Sequence, residues 1–452
     1  MTHYLEGAER ALSPMEQTIC VADALCSMNF VMHCEILGPL GEDPLRAGLA
    51  RVQARHPLLR MRLHGTDGNW WFRPVAEAIP LRVVDGPPST IAAEVENELH
   101  RGFDCARGPM LRSVWMRHAP EHSTLLVTFH HLIGDGISGG FLLRDLIRAM
   151  RGEPLGVLGL ADSLDGHLPS SARGLRGLAG LMRLAARRLG RIVRHGPLRH
   201  LPPEGAGNLA ERRAAVRMTR LQPDIVGALA ARAREERTTL HGALSAAIVM
   251  ASVPEIGTAD AHIAFSSALD MRDRFSPPVG EDLGLYATLA YSTHVIHEGT
   301  AFWPLARELK QGLNRAIDSG QPFVGLAGLA PWIMARYRNA GGGEAGRRTV
   351  ARVISRGMVK AFALTNIGRV AIEVGNGPFG ISSLGFAVSL SVLGSSAFTA
   401  ATIGGTLCLN SIVMEPVVSR ETQGRIVDRL QGILHAALYC RPAAEASVTA
   451  EP

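Results

Sequence analysis

The sequence predicts an α/β protein built from two lobes. Its 452 residues exceed what a single core usually holds, because single cores stop growing at about 250–300 residues. With 46% hydrophobic and 19% charged residues, the composition is that of a globular chain. Strand-like runs and helical patterns occur in both halves, and the stretch between them differs in composition. We therefore expect a first lobe over residues 1–165, a basic linker over 166–205, a second lobe over 206–440 and a disordered tail over 441–452.

The first lobe is predicted to mix helices and strands. Apolar β-type runs bounded by turn residues indicate strands, and apolar residues at helical spacing indicate helices. A proline ends the first helix, because the residue before a proline is pushed out of helical geometry. The expected elements are a helix ending at His56, a hairpin of residues 60–63 and 70–72 around the turn 65–68, a helix over 91–101, a strand over 125–129 and a helix over 137–150.

The second lobe is predicted from similar local signals. Thr238 and Thr239 can cap an apolar helix, and Ser419 can cap the last helix of the chain. Glycine-rich stretches mark the turns between short strands. The expected elements are a helix over 240–250, a loop over 339–343, several strands within 370–413 with turns at 375–378 and 404–405, and a helix over 419–438.

The linker is predicted to contain an amphipathic basic helix. Residues 173–199 carry eight arginines and no acidic residue. An apolar stripe accompanies the arginines at helical spacing, formed by Leu178, Leu181, Met182, Ala185, Leu189 and Ile192. Three interpretations remain open, namely docking of an acidic carrier protein, peripheral contact with a membrane surface, and a crossover helix that packs on the fold with its arginine face in solvent.

Residues 130–136, His-His-Leu-Ile-Gly-Asp-Gly, form the densest polar cluster of the chain. They follow the predicted strand 125–129 and precede a predicted helix, so rigid elements hold them beside an open loop. Histidine is the side chain most easily used as a base near neutral pH. Asp135, if buried, requires a partner and is expected to pair with a cation. Gly136 allows the backbone to approach a ligand closely.

This HHxxxDG pattern resembles the active-site signature of condensation domains and their stand-alone acyltransferase relatives, which share the chloramphenicol acetyltransferase fold. Further segments resemble the family in the same order, and the resemblance covers roughly residues 10–440. The stand-alone polyketide and lipid acyltransferases, such as the phthiocerol dimycocerosyl transferases, look closer than peptide-bond-forming modules, and the plant-type DFGWG motif is missing. The matching segments are residues 12–17 (LSPMEQ, with one extra residue before the glutamine), 49–63, 102–104, 108–112, 237–247, 268–272 with 283–286, and 365–368.

The resemblance implies a fold and a set of roles. Each lobe would be a mixed β-sheet flanked by helices, with an active-site tunnel between the lobes. His131 would be the general base, and Asp135 would orient the loop through an ion pair with Arg272. His130 is expected to be structural, because it should point away from His131 if the strand persists. Two interpretations stay open for each remaining site residue: Gly136 as an oxyanion donor or a turn glycine, Asn366 as a carbonyl-polarising group or a strand cap, and Ser138 as a pocket residue or a helix start.

The implied activity is transfer of an acyl group from a coenzyme A or carrier-protein thioester to a hydroxyl acceptor, in secondary-metabolite or lipid biosynthesis. The alternatives are an amide-forming enzyme with an amine acceptor, a non-catalytic homologue that binds a carrier protein, and a serine hydrolase. The hydrolase alternative rests on residues 136–140, which fit GxSxG, although an elbow serine should follow its strand directly. A dinucleotide site at the GxGxxG of residues 375–380 is disfavoured by Pro378.

Composition limits the partners and the environment. A formal net charge of +6 fits an anionic partner such as coenzyme A, an acidic carrier protein or a membrane surface, and no nucleic-acid-binding signature accompanies it. We expect no bound cofactor, and no metal, because adjacent histidines point apart in a strand. Neither a signal peptide nor a membrane span is evident, so a cytoplasmic protein is expected. The scattered cysteines are expected to be reduced; they are Cys20, Cys26, Cys34, Cys105, Cys408 and Cys440.

Overall fold

The computed structural model describes residues 9–169, 174–207, 209–258, 260–357, 360–375, 377–390 and 394–439. The predicted tail over 441–452 and Cys440 lie outside these residues. The strands are β1 (Arg10–Ala11), β2 (Asn29–Leu37), β3 (Met61–Thr66), β4 (Asn69–Pro74), β5 (Leu81–Asp85), β6 (Leu111–Ala119), β7 (His122–His130), β8 (Arg213–Leu221), β9 (Ala261–Asp270), β10 (Ala287–Ile296), β11 (Phe362–Arg369), β12 (Gly380–Val388), β13 (Ser396–Ile403) and β14 (Thr406–Glu415). The helices are α1 (Pro14–Asp23), α2 (Glu42–Arg55), α3 (Ile91–His100), α4 (Gly136–Met150), α5 (Leu164–His167), α6 (Gly174–His195), α7 (Pro223–Glu235), α8 (Leu240–Ser252), α9 (Phe302–Asp318), α10 (Gln321–Val324), α11 (Ala330–Asn339), α12 (Gly343–Gly357) and α13 (Arg420–Tyr439).

The first large sheet has the strand order β12-β2-β7-β6-β5. Strand β7 lies at its centre, between the antiparallel neighbours β2 and β6, and His130 at its end pairs with Asn29 of β2. The residues of β7 from Ser123 to His130 are buried, which matches the continuous apolar run in the sequence. Helix α4 begins a few residues after β7, so the loop that joins them emerges from the middle of the sheet.

The second large sheet has the strand order β10-β9-β11-β13-β14-β8. Strand β11 runs parallel to both of its neighbours, whereas β9 and β10 form an antiparallel pair. A separate core of buried residues joins this sheet to α7, α8, α9 and α13. Both large sheets are therefore flanked by helices, as predicted, and each has its own apolar core.

Strand β12 crosses from the second half of the chain into the first sheet, where it pairs with β2. The sequence assigned it to the second lobe, residues 206–440. Its free edge faces the second sheet, and the Asn410 side chain donates a hydrogen bond of 2.9 Å to the Phe386 carbonyl. Buried backbone carbonyls need donors, and on this edge the side chains of Asn410 and Thr399 both donate to the Phe386 carbonyl. Helices α11 and α12 likewise add Met334, Tyr337 and Val350 to the core of the first sheet.

The elements predicted from local signals are present. The hairpin of β3 and β4 pairs Thr66 with Asn69, and the Thr239 hydroxyl accepts a hydrogen bond from the Gly242 N–H at the start of α8. The Ser419 hydroxyl accepts one from the Thr422 N–H at the start of α13. The glycine pattern of residues 375–380 leads into β12 and not into a helix.

Across the described part of the chain, no single helix combines the length and the apolar composition that crossing a membrane requires, although the bent pair Pro223–Glu235 and Leu240–Ile256 meets both criteria together.

Candidate active site

His131 is the first residue after β7, and its side chain is partly exposed while Leu132 to Asp135 are buried. Its backbone N–H donates to the Met28 carbonyl at 2.8 Å, which holds the turn against the start of β2. Its Nδ1 lies 2.8 Å from the Gly134 carbonyl oxygen. Because a carbonyl oxygen only accepts hydrogen bonds, Nδ1 carries the ring proton and Nε2 keeps its lone pair. The loop thus fixes the tautomer that a base acting through Nε2 requires.

The surroundings of His131 lower the pKa of its imidazole below the ordinary value of 6.5. Burial is the largest cause, since the cationic ring would lose solvation. The hydrogen bond to Gly134 and the charge of Asp135 act in the opposite direction and do not overcome burial. The ring is therefore neutral at pH 7 and able to accept a proton.

The lowered pKa predicts how activity depends on pH. Only the neutral ring accepts a proton, so kcat/KM should rise with pH through the pKa of His131 and then level off. Because this pKa lies below 6.5, we expect the acid limb of the profile to have its midpoint below pH 6.5. Steady-state rates from acid to neutral pH measure it. A midpoint at or above pH 6.5 would contradict the assignment.

His130 points to the opposite side of the strand and is 1% exposed. Its Nδ1 accepts a hydrogen bond of 3.1 Å from the Leu132 N–H, so the neutral ring carries its proton on Nε2. That nitrogen lies 3.1 Å from Oδ1 of Asp23. These contacts give His130 a structural position beneath the loop.

Asp23, Cys105 and His130 also place a potential metal-ligand atom each within 4.8 Å of one another. A ligating histidine needs a lone pair on the metal-facing nitrogen and normally donates through the other. His130 has the reverse arrangement, because its Nδ1 is an acceptor. In addition, burial raises the pKa of the Cys105 thiol to about 12, which disfavours the thiolate that a metal requires. The three residues do not fit a metal site.

Asp135 is 1% exposed, and both of its carboxylate oxygens are engaged. Oδ1 accepts from the Ser138 N–H at 2.8 Å, which caps α4, and Oδ2 accepts from the Tyr286 N–H at 2.8 Å. Nη1 of Arg272 lies 3.3 Å from Oδ2, so the predicted ion pair is present. Because Arg272 and Tyr286 belong to the segment between β9 and β10, Asp135 ties the motif loop to the second half of the chain.

Arg272 is 3% exposed and forms the centre of this connection. Its Nη1 also contacts Asp270 at 3.2 Å, and its Nη2 donates to the Ser138 hydroxyl at 2.8 Å. The guanidinium lies over the Tyr286 ring, 4.9 Å from the centroid. A planar, permanently charged fork can make all of these contacts at once, whereas a lysine could not.

Ser138 is buried within this network and not displayed to a cleft. Its hydroxyl donates to the Gly284 carbonyl at 3.0 Å and accepts from Arg272. Among its described hydrogen bonds there is none to a histidine, so the serine has no base to activate it. Of the two interpretations from the sequence, the contacts support the position at the start of α4.

Gly136 lies where α4 approaches β11, the strand that contains Asn366. A Cβ on Gly136 would lie 2.7 Å from Cγ2 of Ile367, so only glycine fits at this distance. The Oδ1 of Asn366 accepts a hydrogen bond of 2.8 Å from the Gly368 N–H, which is the strand-capping contact considered above. Its Nδ2 has no hydrogen-bond acceptor in the described residues. Gly136 opens α4, where the first N–H groups lack acceptors within the helix.

Sequence reasoning missed three groups of the site. The Gly134 carbonyl sets the His131 tautomer, the Tyr286 N–H holds Asp135, and the Gly284 carbonyl holds Ser138. All three are backbone groups. Every residue has a carbonyl and every residue except proline has an N–H, so the residue type does not reveal these contacts. The only signal was the segment 283–286 within the resemblance, and its role there was not evident.

Comparisons with known proteins match both halves of the chain. A condensation-domain model matches residues 22–157, which include the motif loop. A model of the phthiocerol/phthiodiolone dimycocerosyl transferase C-terminus matches residues 210–374. The predicted resemblance to the condensation-domain superfamily is confirmed. By their descriptions, one matched family is a condensation domain and the other is a transferase.

Two kinds of curated relatives match this chain. An uncharacterised protein of Mycobacterium tuberculosis is 24% identical over 393 residues, which cover 82% of this chain and 85% of the relative. A linear gramicidin synthase of Brevibacillus parabrevis is 32% identical over 127 residues, which cover 26% of this chain and 2% of the synthase. The chain therefore spans only a small fraction of the synthase's length.

Solved structures share the fold over nearly the whole chain. Polyketide synthase associated protein 5 from Mycobacterium tuberculosis superposes with a TM-score of 0.63 at 18% identity, covering 95% of this chain and 98% of that protein. The first condensation domain of the calcium-dependent antibiotic synthetase, in complex with a substrate analogue, gives a TM-score of 0.70 at 15% identity and covers 97% of this chain and 98% of that one. The chain thus has the predicted chloramphenicol acetyltransferase-like fold with two lobes.

Proposed function

We propose that this protein transfers an acyl group from a thioester to a hydroxyl acceptor, with Nε2 of His131 as the general base. The acceptor O–H gives its proton to Nε2, and its oxygen attacks the thioester carbonyl carbon. The tetrahedral intermediate then breaks its C–S bond, and the departing thiolate takes the proton from the imidazolium. The observation that carries the proposal is the 2.8 Å contact between Nδ1 and the Gly134 carbonyl, which leaves Nε2 unprotonated.

The negative charge on the intermediate needs hydrogen-bond donors. We assign this role to the Gly136 N–H at the start of α4 and to Nδ2 of Asn366, which has no acceptor among the described residues. Asn366 precedes Ile367, whose Cγ2 would lie 2.7 Å from a Cβ on Gly136. A helix N-terminus favours negative charge, and one such donor typically contributes about 10²–10³-fold in kcat. Asp135 and Arg272 act as positioning residues that hold the loop.

The donor in this proposal is coenzyme A or the phosphopantetheine arm of a carrier protein, and the two substrates enter a tunnel between the lobes from opposite faces. A thioester needs no bound cofactor, because the thiol is already a leaving group. The matched transferase family and the gramicidin synthase relative support this donor class. An amine acceptor would use the same proton transfer and give an amide.

Mass spectrometry of the product tests the proposal directly. Matched acyl groups are supplied on coenzyme A and on a carrier protein, each with an alcohol and with an amine acceptor. We expect the wild-type protein to form an ester with one of the two donors, and the His131→Ala protein to form much less of it. Acyl transfer that proceeds equally in the His131→Ala protein would overturn the mechanism, and an amide product would replace the hydroxyl acceptor by an amine.

A fluorophosphonate probe separates this mechanism from serine hydrolysis. We expect no labelling at Ser138, because its hydroxyl is buried and bonded to Gly284 and Arg272. Peptide mapping of the treated wild-type protein is the measurement, with Ser138→Ala as the matched control. A covalent adduct on Ser138 in the wild-type protein would favour the hydrolase.

A further inference from the structure

Helix α6 contacts the second lobe through Arg191, whereas three of its apolar side chains are exposed on the other side of the helix. Nη1 of Arg191 lies 2.5 Å from Oγ1 of Thr293 on β10. Leu189 precedes Arg191 by two residues and Val193 follows it by two. At about 100° per residue, both lie on nearly the opposite side of the helix from Arg191. They are 63% and 79% exposed, and Met182 on the same stripe is 65% exposed. The described arginine side chains of α6, Arg183, Arg191 and Arg194, are exposed as well, so the interpretation of a crossover helix with its arginine face in solvent stays open.

The arginine side of α6 lines a cleft of about 770 Å³ against the edge of the second sheet. Arg191, Arg194 and His195 contribute from the helix, and His262 and His294 contribute from β9 and β10. The rings of His195 and His262 are 5.5 Å apart. Glu308 of α9 also lines the cleft. Cationic and imidazole groups therefore outnumber the carboxylates around this space.

The acidic groups near the cleft are already bound. Glu308 lies 2.7 Å from Nδ1 of His294, and this hydrogen bond lowers the pKa of Glu308 below its ordinary value. Asp260 lies 3.0 Å from Nδ1 of His297. Within the described ranges, neither Arg191 nor Arg194 has a carboxylate partner. By contrast, Arg144 near the active site contacts both Asp145 and Glu281.

His262 lines the same cleft and uses one of its ring nitrogens within the protein. Its residue is 6% exposed, and its Nδ1 donates to the Gly196 carbonyl at 2.8 Å. Its Nε2 has no hydrogen-bond partner in the residues that the structure describes. Because Nδ1 is the donor, Nε2 of the neutral ring keeps its lone pair and can accept a hydrogen bond from a ligand hydroxyl or from water.

The cleft is distinct from the candidate active site. The Tyr286 N–H holds Asp135 just before β10 begins, and Thr293 lies seven residues further along the chain. Seven residues of extended strand span about 23 Å. The cleft therefore lies far from the motif loop, and no role in the proposed transfer is needed to explain it.

We infer that the cleft between α6 and β10 binds a phosphate group of a ligand. Two guanidinium groups match the oxygens of a phosphate with paired hydrogen bonds. The cleft is larger than one phosphate, so it leaves room for the rest of an organic phosphate or for a lipid headgroup. The exposed stripe of Met182, Leu189 and Val193 lies on the same helix and would meet the apolar part of a lipid.

Two binding measurements on the full chain test the inference and separate the two sources of phosphate. Calorimetric titration with inorganic pyrophosphate reports a soluble ligand, and sedimentation with phosphatidylglycerol vesicles, against phosphatidylcholine vesicles, reports a lipid headgroup. The cleft variant carries Arg191→Glu and Arg194→Glu. The matched control carries Arg46→Glu and Arg348→Glu, two exposed arginines on α2 and α12. Thermal unfolding checks that both variants remain folded.

We expect at least one probe to bind the wild-type and control proteins, and to bind the cleft variant about tenfold or more weakly. Pyrophosphate binding with that pattern supports a soluble organic phosphate. Vesicle binding with that pattern, weakened also by Leu189→Ser with Val193→Ser, supports a lipid headgroup. The inference is overturned if neither probe binds the wild-type protein, or if the cleft variant and the control bind equally.

Discussion

Replacing His131 with alanine is expected to lower kcat by about 10²–10⁴-fold, which is the usual contribution of general-base catalysis. The side chain is partly exposed beside the buried loop, and its ring donates only to the Gly134 carbonyl, so its loss removes one local hydrogen bond. The fold should therefore survive. Single-turnover rates with a thioester donor, together with circular dichroism and thermal unfolding, measure both effects.

The matched control for this variant is His122→Ala. His122 begins the same strand β7 at its far end and pairs with Glu35, which also contacts Arg220. It is remote from the motif loop, and we expect its variant to keep wild-type kcat. If the His131 variant turns over at the wild-type rate, or if both variants lose activity equally, His131 is not the base.

Replacing Asp135 with alanine is expected to destabilise the protein by about 3–5 kcal/mol, the usual cost of removing one partner of a buried ion pair. Arg272 would keep Asp270 as a partner, which moderates the loss. The variant also loses the cap of α4 and leaves the Tyr286 N–H buried without an acceptor. Urea unfolding of the wild-type and variant proteins, compared at equal m-value, measures the change in the free energy of unfolding.

A double variant distinguishes the effect of an unpaired buried charge from the loss of the contact that holds the motif loop. Asp135→Ala combined with Arg272→Met removes both buried charges and should recover part of the lost stability. Activity should not return, because nothing then holds the motif loop against the segment before β10. If the Asp135→Ala protein has wild-type stability, the 3.3 Å ion pair does not stabilise the fold. If the double variant is fully active, Asp135 and Arg272 do not position the motif loop.

The structure reproduced what the sequence encodes locally. The chain from β7 through the loop to α4 was predicted from an apolar run and a helical pattern, and its bounds differ from the prediction by a few residues at most. The caps at Thr239 and Ser419 bind N–H groups three residues away. Signals of this kind act within one helical turn, so a single sequence is enough to identify them.

The contacts that define the candidate site are mostly of long range. Asp135 meets Arg272 across 137 positions of the chain and Tyr286 across 151. The resemblance suggested the first of these contacts, but neither composition nor spacing could have done so. For Ser138, a local pattern was misleading. The GxSxG sequence allowed a hydrolase, but the serine hydroxyl is bonded to Gly284 and Arg272 from the second half of the chain.

By itself, the sequence determined the position of the histidine motif at a strand-to-helix turn, the basic helix in the linker, and the caps and turns of the secondary structure. Only the tertiary structure decided the tautomer of His131, the entry of β12 into the first sheet and the side of α6 that faces the protein. The physical reason is that capping and periodicity depend on neighbours within a few residues. Strand pairing and helix orientation depend instead on which distant surfaces come together. The backbone carbonyl that fixes a tautomer cannot be identified from the sequence, because any residue can supply one.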